Sequence, residues 1–377
     1  MKLRLTGADV LRPDGFRQEP VSIADGRISE NDGREVDLSG FLILPGIIDM
    51  HGDGFERHLA PRRGAMKDLS VGLRSCDAEL AANGITTAVL AQFWSWEGGM
   101  RGPDFARAFL EALARTRMLT DIRVQLRLET HLIDDYAAFE DAVTTHEVPY
   151  VVFNDHLPHA ALSKGKKPPR LTGQALKSGR SPEAHLALLQ ALHGVGDQVP
   201  EAVAGLAARL LARGVRLGSH DDQSAADRDM WRARGVVISE FPETQEAAAA
   251  ASAAGDPVIL GAPNVVRGGS HKQNVSARDL IGQGIGDALA SDYHYPTLIQ
   301  AAFLLADEGV CDLAQAWRLV SKGPAAILGL DDRGQIVPGK RADLVVIDPE
   351  TRRAGATITG GEITHMSGEV ARRFLTG

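Results

Sequence analysis

The sequence predicts an α/β fold: a (β/α)8 TIM-like barrel with a small β-sandwich domain formed from both termini. Three observations carry this expectation. Eight short apolar runs alternate with amphipathic stretches through the middle of the chain, the pattern of repeated βα units around a parallel sheet. The two ends share a different texture of brief alternating segments broken by Gly, Asp and Pro. No Gly-rich dinucleotide fingerprint follows any apolar run, which disfavours the alternative of an open doubly wound sheet.

Taken in order, "KLRLTGADVL", "VSIADGRISE" and "GREVDLSGF" read as short strands and turns, and "GQIVPGKRADLVVIDP" and "ATITGGEITHMSGEVARRF" repeat that texture at the other end. The small domain is therefore expected over residues 1–43 and 335–377, and the barrel over 44–334. The eight barrel strands are expected in "LILPGIIDMH", "ITTAVLAQF", "RVQLRLET", "YVVFNDH", "VRLGSH", "GVVISEF", "DPVILGAP" and "DALASDYH". Helices are expected in "FARAFLEALARTR", "PEAVAGLAARLLARG" and "QEAAAAASAAG". The polar, basic and Pro/Gly-rich stretch at 163–180 reads as a mobile loop over the barrel mouth.

The chain has 377 residues, enough for one large domain or two ordinary ones. Its net charge of -8 argues against nucleic-acid or membrane partners, so an anionic ligand would need a local basic cluster. Cys76 and Cys311 form no metal-type pair and no disulfide framework, as in a reducing compartment. The beginning "MKLRLTGADV" does not resemble a signal peptide, and no apolar stretch is long enough to span a bilayer. A cytoplasmic enzyme acting on a small molecule is expected, with a homodimer as an open possibility.

Barrel chemistry sits where the strands end, and nearly every run here ends on a metal-binding residue type. The first ends in His51 and Asp53, the third in Glu129, the fourth in Asp155 and His156, the fifth in His220, the sixth in Glu240 and the eighth in Asp292. A single such residue is more often structural. A ring of them at one rim is costly without a cation. His51 and Asp53 lie two apart on a strand, so they point the same way and can grip one ion. Glu129 is expected to bridge two ions, with His156 and His220 on the second. Asp292 is expected to bind weakly or to take a proton from the attacking water. Imidazole and carboxylate donors suit a divalent transition metal, Zn foremost, with Fe or Mn possible, as one or two ions. Such an ion lowers the pKa of water towards neutrality, which points to hydrolysis.

A basic half adjoins the metal half. Arg57, His58, Arg62 and Arg63 follow the first strand directly, and Arg267, Ser270, His271 and Asn274 follow the seventh. Loops after strands seven and eight of barrels often hold phosphate, and guanidinium forks pair two phosphate oxygens at once. Gly268 and Gly269 would let backbone N–H groups approach an anion. Lys164, Lys166, Lys167 and Arg170 more simply solvate the long loop, and Arg57 has the alternative of pairing with Glu56 or Asp53. Trp94 and Trp96 would either stack on a sugar or pack the barrel top. A phosphorylated small-molecule substrate fits this reading.

"LPGIIDMHGDGFERHLAPRRG", "FNDHLPH", "SHDD", "SEFPET", "GAPNVVRGGSH", "SDYHYP" and "GQIVPGKRADLV" together resemble the amidohydrolase superfamily from Leu44 onward. Within it they resemble the branch that releases pyrophosphate from a ribose 1-phosphonate 5-triphosphate in phosphonate metabolism. The resemblance implies a distorted barrel, a divalent metal and hydrolysis of a phosphoanhydride. The chain departs from the usual superfamily pattern in carrying His51-Gly52-Asp53 in place of His-x-His. It also places His156 on the fourth run, where the superfamily draws metal histidines from the fifth and sixth strands. Either a strand is hidden in the long connection, or the site is built differently. The competing functions are an amide or cyclic-amide hydrolase on the same scaffold, and a scaffold that has lost its metal.

Overall fold

The computed structural model describes residues 2–30, 33–61, 68–269 and 275–376. Eight parallel strands form one sheet in strict chain order. They are β1 (Ile47–Gly52), β2 (Ile85–Trp94), β3 (Asp121–Glu129), β4 (Tyr150–Asn154), β5 (Arg216–His220), β6 (Ile238–Glu240), β7 (Val258–Gly261) and β8 (Ala288–Ala290). The ends of the sheet meet through a parallel bridge between Gly52 and Asp292, which brings the first and eighth strands together and nearly closes the barrel. All eight expected runs are these strands. No strand lies among the described residues between Asn154 and Arg216, so His156 does follow β4.

Side-chain alternation builds the layers. On β3, Val124, Leu126 and Leu128 face the helical shell. Ile48, Met50, Val89, Tyr150, Val152, Ile238 and Ile259 fill the barrel interior. The expected helices form at Pro103–Arg115, Val199–Ala212 and Gln245–Ala253, the last capped by the Thr244 hydroxyl.

The chain ends interleave. Leu3–Thr6, Val21–Ala24, Arg27–Ser29 and Arg34–Asp37 form a four-stranded sheet. Asp9–Arg12, Gly15–Arg17 and Leu42–Pro45 join Leu344–Asp348, Arg353–Thr359 and Glu362–Met366 in a six-stranded sheet. The strand Leu42–Pro45 straddles the expected boundary at 43/44 and runs through Gly46 into β1. The continuous apolar run "LVVID" has a physical reason. Leu344 and Val346 face the small-domain core, whereas Val345 and Ile347 face the barrel helices, so both sides of the strand are buried.

The stretch 163–180, expected as a mobile loop, lies in a helical excursion between β4 and β5. Helices His159–Leu162, Leu171–Ser178 and Pro182–Gly194 pack Leu157, Leu162, Leu171 and Leu189 around Trp96. Gly179, left-handed at φ 72°, ends one helix, and the Ser181 hydroxyl caps the next, with Pro182 in its first turn. The lysines and glycines outweigh these caps in the composition, but the buried leucines decide the fold.

Candidate metal centre

Strand endings deliver the site. In β1 the register against β2 slips between Asp49 and Gly52, which re-aims the following side chains. Gly52 is required there, since a Cβ would meet Asp49 Oδ2 and the Tyr295 ring, each at 2.8 Å. Asp49, fully buried, accepts from the Ser291 hydroxyl at 2.6 Å and so ties β1 to the end of β8. Two backbone bonds complete the seam: Asp53 N donates to Asp292 O at 2.8 Å, and Asp292 N donates to His51 O at 2.9 Å.

This seam sets two carboxylates side by side. Donor atoms of His51, Asp53 and Asp292 lie within 4.8 Å of one another. Burial and then the Asp53 charge push the Asp292 carboxyl up to about 6. A second trio, His156, His220 and Asp221, meets the same distance limit. Asp221, Phe241 and Asp292 all take left-handed backbone, at φ 60°, 54° and 56°. Such conformations cost about 1 kcal/mol each in a non-glycine residue, and they cluster where function constrains the chain.

Arg127 and Glu240 organise the centre, and sequence reasoning gave neither this role. Arg127 donates to His220 Nε2 at 2.7 Å and lies 3.4 Å from His51 Nε2, with its guanidinium 4.0 Å over the Phe93 ring. Both imidazoles therefore turn an Nε2 lone pair towards a cation. Behind them, Glu240 Oε2 accepts from His220 Nδ1 at 2.9 Å. His51 Nδ1 is also 2.9 Å from that oxygen but off the line of a hydrogen bond, so it is a buried polar atom without an aligned partner. Burial and the Arg127 charge hold His220 below its ordinary pKa. Burial opposes charge on Glu240, but His51 and His220 more than offset it, and the carboxyl falls far below its usual range. Phe241 wedges its ring edge-on to both imidazoles, at 5.0 and 5.2 Å. The signal for Arg127 was present in "RVQLRLE": Gln125, Arg127 and Glu129 alternate with apolar residues, so one polar face of β3 points into the barrel.

Glu129 stands apart from its expected role. Its Oε1 engages His156 Nδ1, and its Oε2 accepts from Trp96 Nε1 at 3.2 Å and from His156 N at 3.0 Å. Both oxygens are engaged in orienting His156, and Glu129 falls in none of the donor groups found among the described residues. The donors present fit a divalent ion: imidazole nitrogens backed by carboxylates, and paired carboxylates that repel unless a cation or proton intervenes.

On the anion side, Asp53, Asp292, Arg101, Arg127, Arg170 and Arg267 line one cavity of about 580 Å³. Arg267 ends the helix Ala262–Arg267, stacks over Tyr293 at 5.8 Å and lowers the Asp292 carboxyl electrostatically. Gly268 N and Gly269 N close that helix on Val265 O and Asn264 O and so are taken up before any anion. Arg57 and His58 point elsewhere, both held by Glu79, and neither lines the cavity. Glu79, on the neighbouring helix Leu69–Ala82, is the carboxylate these two side chains meet. Trp94 and Trp96 are buried, with Trp94 Nε1 donating to Asp135 at 3.2 Å, so they pack the barrel top. Of the basic residues in the excursion, Arg170 reaches the cavity wall. The expected phosphate ligands Arg62, Ser270 and His271, with Arg63 and Asn274, lie outside the described residues.

Comparison with known proteins agrees with this architecture. Residues 57–365 match the amidohydrolase family. The chain is 35% identical over 334 residues, 82% of this chain and 84% of its relative, to alpha-D-ribose 1-methylphosphonate 5-triphosphate diphosphatase of Escherichia coli. It is 26% identical to adenine deaminase of Brucella abortus, with 94% of this chain aligned but only 55% of that longer protein. Among solved structures, a D-aminoacylase superposes with TM-score 0.62 at 15% identity, covering 98% of each chain. A Xaa-Pro dipeptidase with bound methionine superposes at TM-score 0.66 and 13% identity, covering 97% of this chain and 100% of the other. Barrel, strand-end donors and sequence match agree: this chain belongs to the amidohydrolase family.

Proposed function

We propose that the chain is a metal-dependent diphosphatase that hydrolyses the triphosphate of a ribose 1-phosphonate 5-triphosphate-type substrate and releases pyrophosphate. The observation that carries this reading is the wall of guanidiniums, Arg127, Arg170 and Arg267, in the cavity that also holds Asp53 and Asp292. A triphosphate ester brings about four negative charges near neutral pH, and an acidic protein concentrates cations where it needs them. The relative from Escherichia coli bears a name for this activity.

His51, Asp53 and Asp292, with His156, His220 and Asp221, would hold the metal. When bound, a divalent ion, Zn foremost, acidifies water and offsets phosphate charge. Arg267 and Arg170 bind the outer phosphates, and Arg127 faces the reacting phosphorus. The Asp292 carboxylate takes the proton of the attacking water. An O–P bond forms at the phosphorus nearest the sugar, the anhydride P–O bond breaks, and the electron pair leaves with pyrophosphate.

The likeness to adenine deaminase favours a second reading, hydrolysis at an amide or amidine carbon of an anionic substrate. The deciding experiment gives Zn-, Mn- and Fe-loaded enzyme separate panels of sugar and nucleoside triphosphates, hydantoins, dihydroorotate, acyl amino acids and adenine. Pyrophosphate release from a triphosphate supports the diphosphatase. Turnover confined to the carbon–nitrogen substrates overturns it.

A further inference from the structure

A second chamber of about 960 Å³ adjoins the first across His156, His220 and Asp221. On its wall lie three side chains that the hydrolytic reading leaves idle, His131, Asp155 and His159, and His193 backs His159 from behind. We infer that His131, Asp155 and His159 form a separate site for a divalent transition metal, with His193 as its positioning residue.

Four segments converge there. His131 lies two residues past the end of β3, Asp155 directly follows β4, His159 opens the helix His159–Leu162, and His193 sits in the last turn of Pro182–Gly194. Both Asp155 oxygens contact His159 Nε2, at 3.1 and 3.0 Å, and His131 Nδ1 is 3.6 Å from Oδ1. The three candidate donor atoms lie within 4.8 Å of one another. The His159 ring lies 4.9 Å from the His131 ring and 5.0 Å from that of His193, centroid to centroid.

A simple ion pair would need one imidazole and one carboxylate. Here two imidazoles crowd a single carboxylate and a third backs one of them, and the His131 side chain is only 6% exposed. His159 Nδ1 is 2.8 Å from His193 Nδ1, so one ring donates to the other. With His159 as that donor, its Nε2 lone pair faces Asp155 and His131, which is how an outer partner fixes the tautomer of a metal-binding histidine. Two imidazoles and one carboxylate leave coordination positions open, and these face a chamber that Asp222, Asp227 and Glu243 also line.

The site is distinct from the hydrolytic one. Asp155 and His156 are chain neighbours, but Asp155 turns to His131 and His159, whereas His156 turns to Glu129. An ion here would clip the excursion carrying Arg170 and Gln174 to the ends of β3 and β4.

The test counts metal in the full-length chain. Metal-stripped protein is dialysed against Zn²⁺ and analysed by mass spectrometry of the bound ion, with folding checked by circular dichroism. The His131→Gln/His159→Gln variant should bind one ion fewer than the parent chain. The His51→Gln/Asp292→Asn variant should keep that ion, so failure of the hydrolytic-site reading would register separately. If the first variant does not fold, Asp155→Asn, which removes a partly exposed carboxylate, should show the same loss. Equal zinc counts in the parent and the folded variant overturn the inference and leave the cluster a hydrogen-bonded one only.

Discussion

Replacing Glu240 with Gln changes one atom and one charge at the point where both central histidines converge. Arg127 donates to His220 Nε2, so that ring carries its proton on Nδ1 and gives it to Glu240 Oε2 at 2.9 Å. His51 Nδ1 rests 2.9 Å from the same oxygen. The other oxygen accepts from Gln125 Nε2 at 2.8 Å and from the Tyr150 hydroxyl at 3.4 Å. An amide at position 240 would turn its oxygen to the histidines and its NH2 to Gln125, whose buried Oε1 has no partner and can receive it after a flip. The geometry survives and the charge is lost. A hydrogen bond to a charged group contributes about 1.5–3 kcal/mol and a neutral one about 0.5–1.5, a loss of about 1 kcal/mol per histidine. Only His220 is hydrogen-bonded to this oxygen, so the loss is about 1 kcal/mol, or roughly fivefold in metal affinity. Competition of stripped protein with a chromophoric chelator for Zn²⁺ measures it, and Glu240→Ala should lose more because it also removes both acceptors. Metal affinity of Glu240→Gln indistinguishable from that of the parent would refute the claim that this carboxylate sets the lone pair of His220.

Three further outcomes follow from the geometry. Asp292→Asn should retain most metal and lose about 100- to 10,000-fold in turnover, as expected for a missing proton acceptor. With metal removed, the same change should stabilise the fold. A carboxyl held at about 6 against an ordinary 3.8 contributes stability only while protonated. That contribution is lost as pH rises through this window, so the gain should reach about 3 kcal/mol at pH 8 and vanish at pH 3; chemical denaturation at the two pH values checks it. Arg267→Ala should raise KM for triphosphates about 10- to 100-fold and leave an uncharged ester unaffected, the difference being the charge-assisted phosphate contact. Arg228, fully buried, donates to Ser219 at 2.6 Å, Asp222 at 3.1 Å and Asp256 at 2.8 Å. Arg228→Met leaves the buried Asp222 without its cation, whereas Asp256 keeps Arg232, and should cost about 3–5 kcal/mol, a fall of roughly 4–6 °C in Tm by calorimetry for a chain of this size.

Barrel and small domain were legible because their signals are local and repeat. Alternation and apolar runs mark strands whatever their partners, and "ITTAVLAQF" or "YVVFNDH" need no context to be read. The excursion was misread because its composition speaks for solvent, while a few leucines spaced along it find Trp96 only in three dimensions. Arg57 and His58 looked like phosphate ligands by proximity to His51 in the chain, but Glu79, more than twenty positions on, is what they meet.

By itself the sequence determined which residue types end the barrel strands, and so the kind of chemistry available: imidazoles, carboxylates and guanidiniums at one rim. Tertiary structure alone decided their pairing. Whether Glu129 orients His156, which carboxylate backs His51 and His220, and that Arg127 stands between the two imidazoles all depend on distances across β1, β3, β5 and β6. The physical reason is range: backbone periodicity is fixed within a few residues, whereas a hydrogen bond or an ion's donor set is fixed within a few ångströms between residues far apart in the chain.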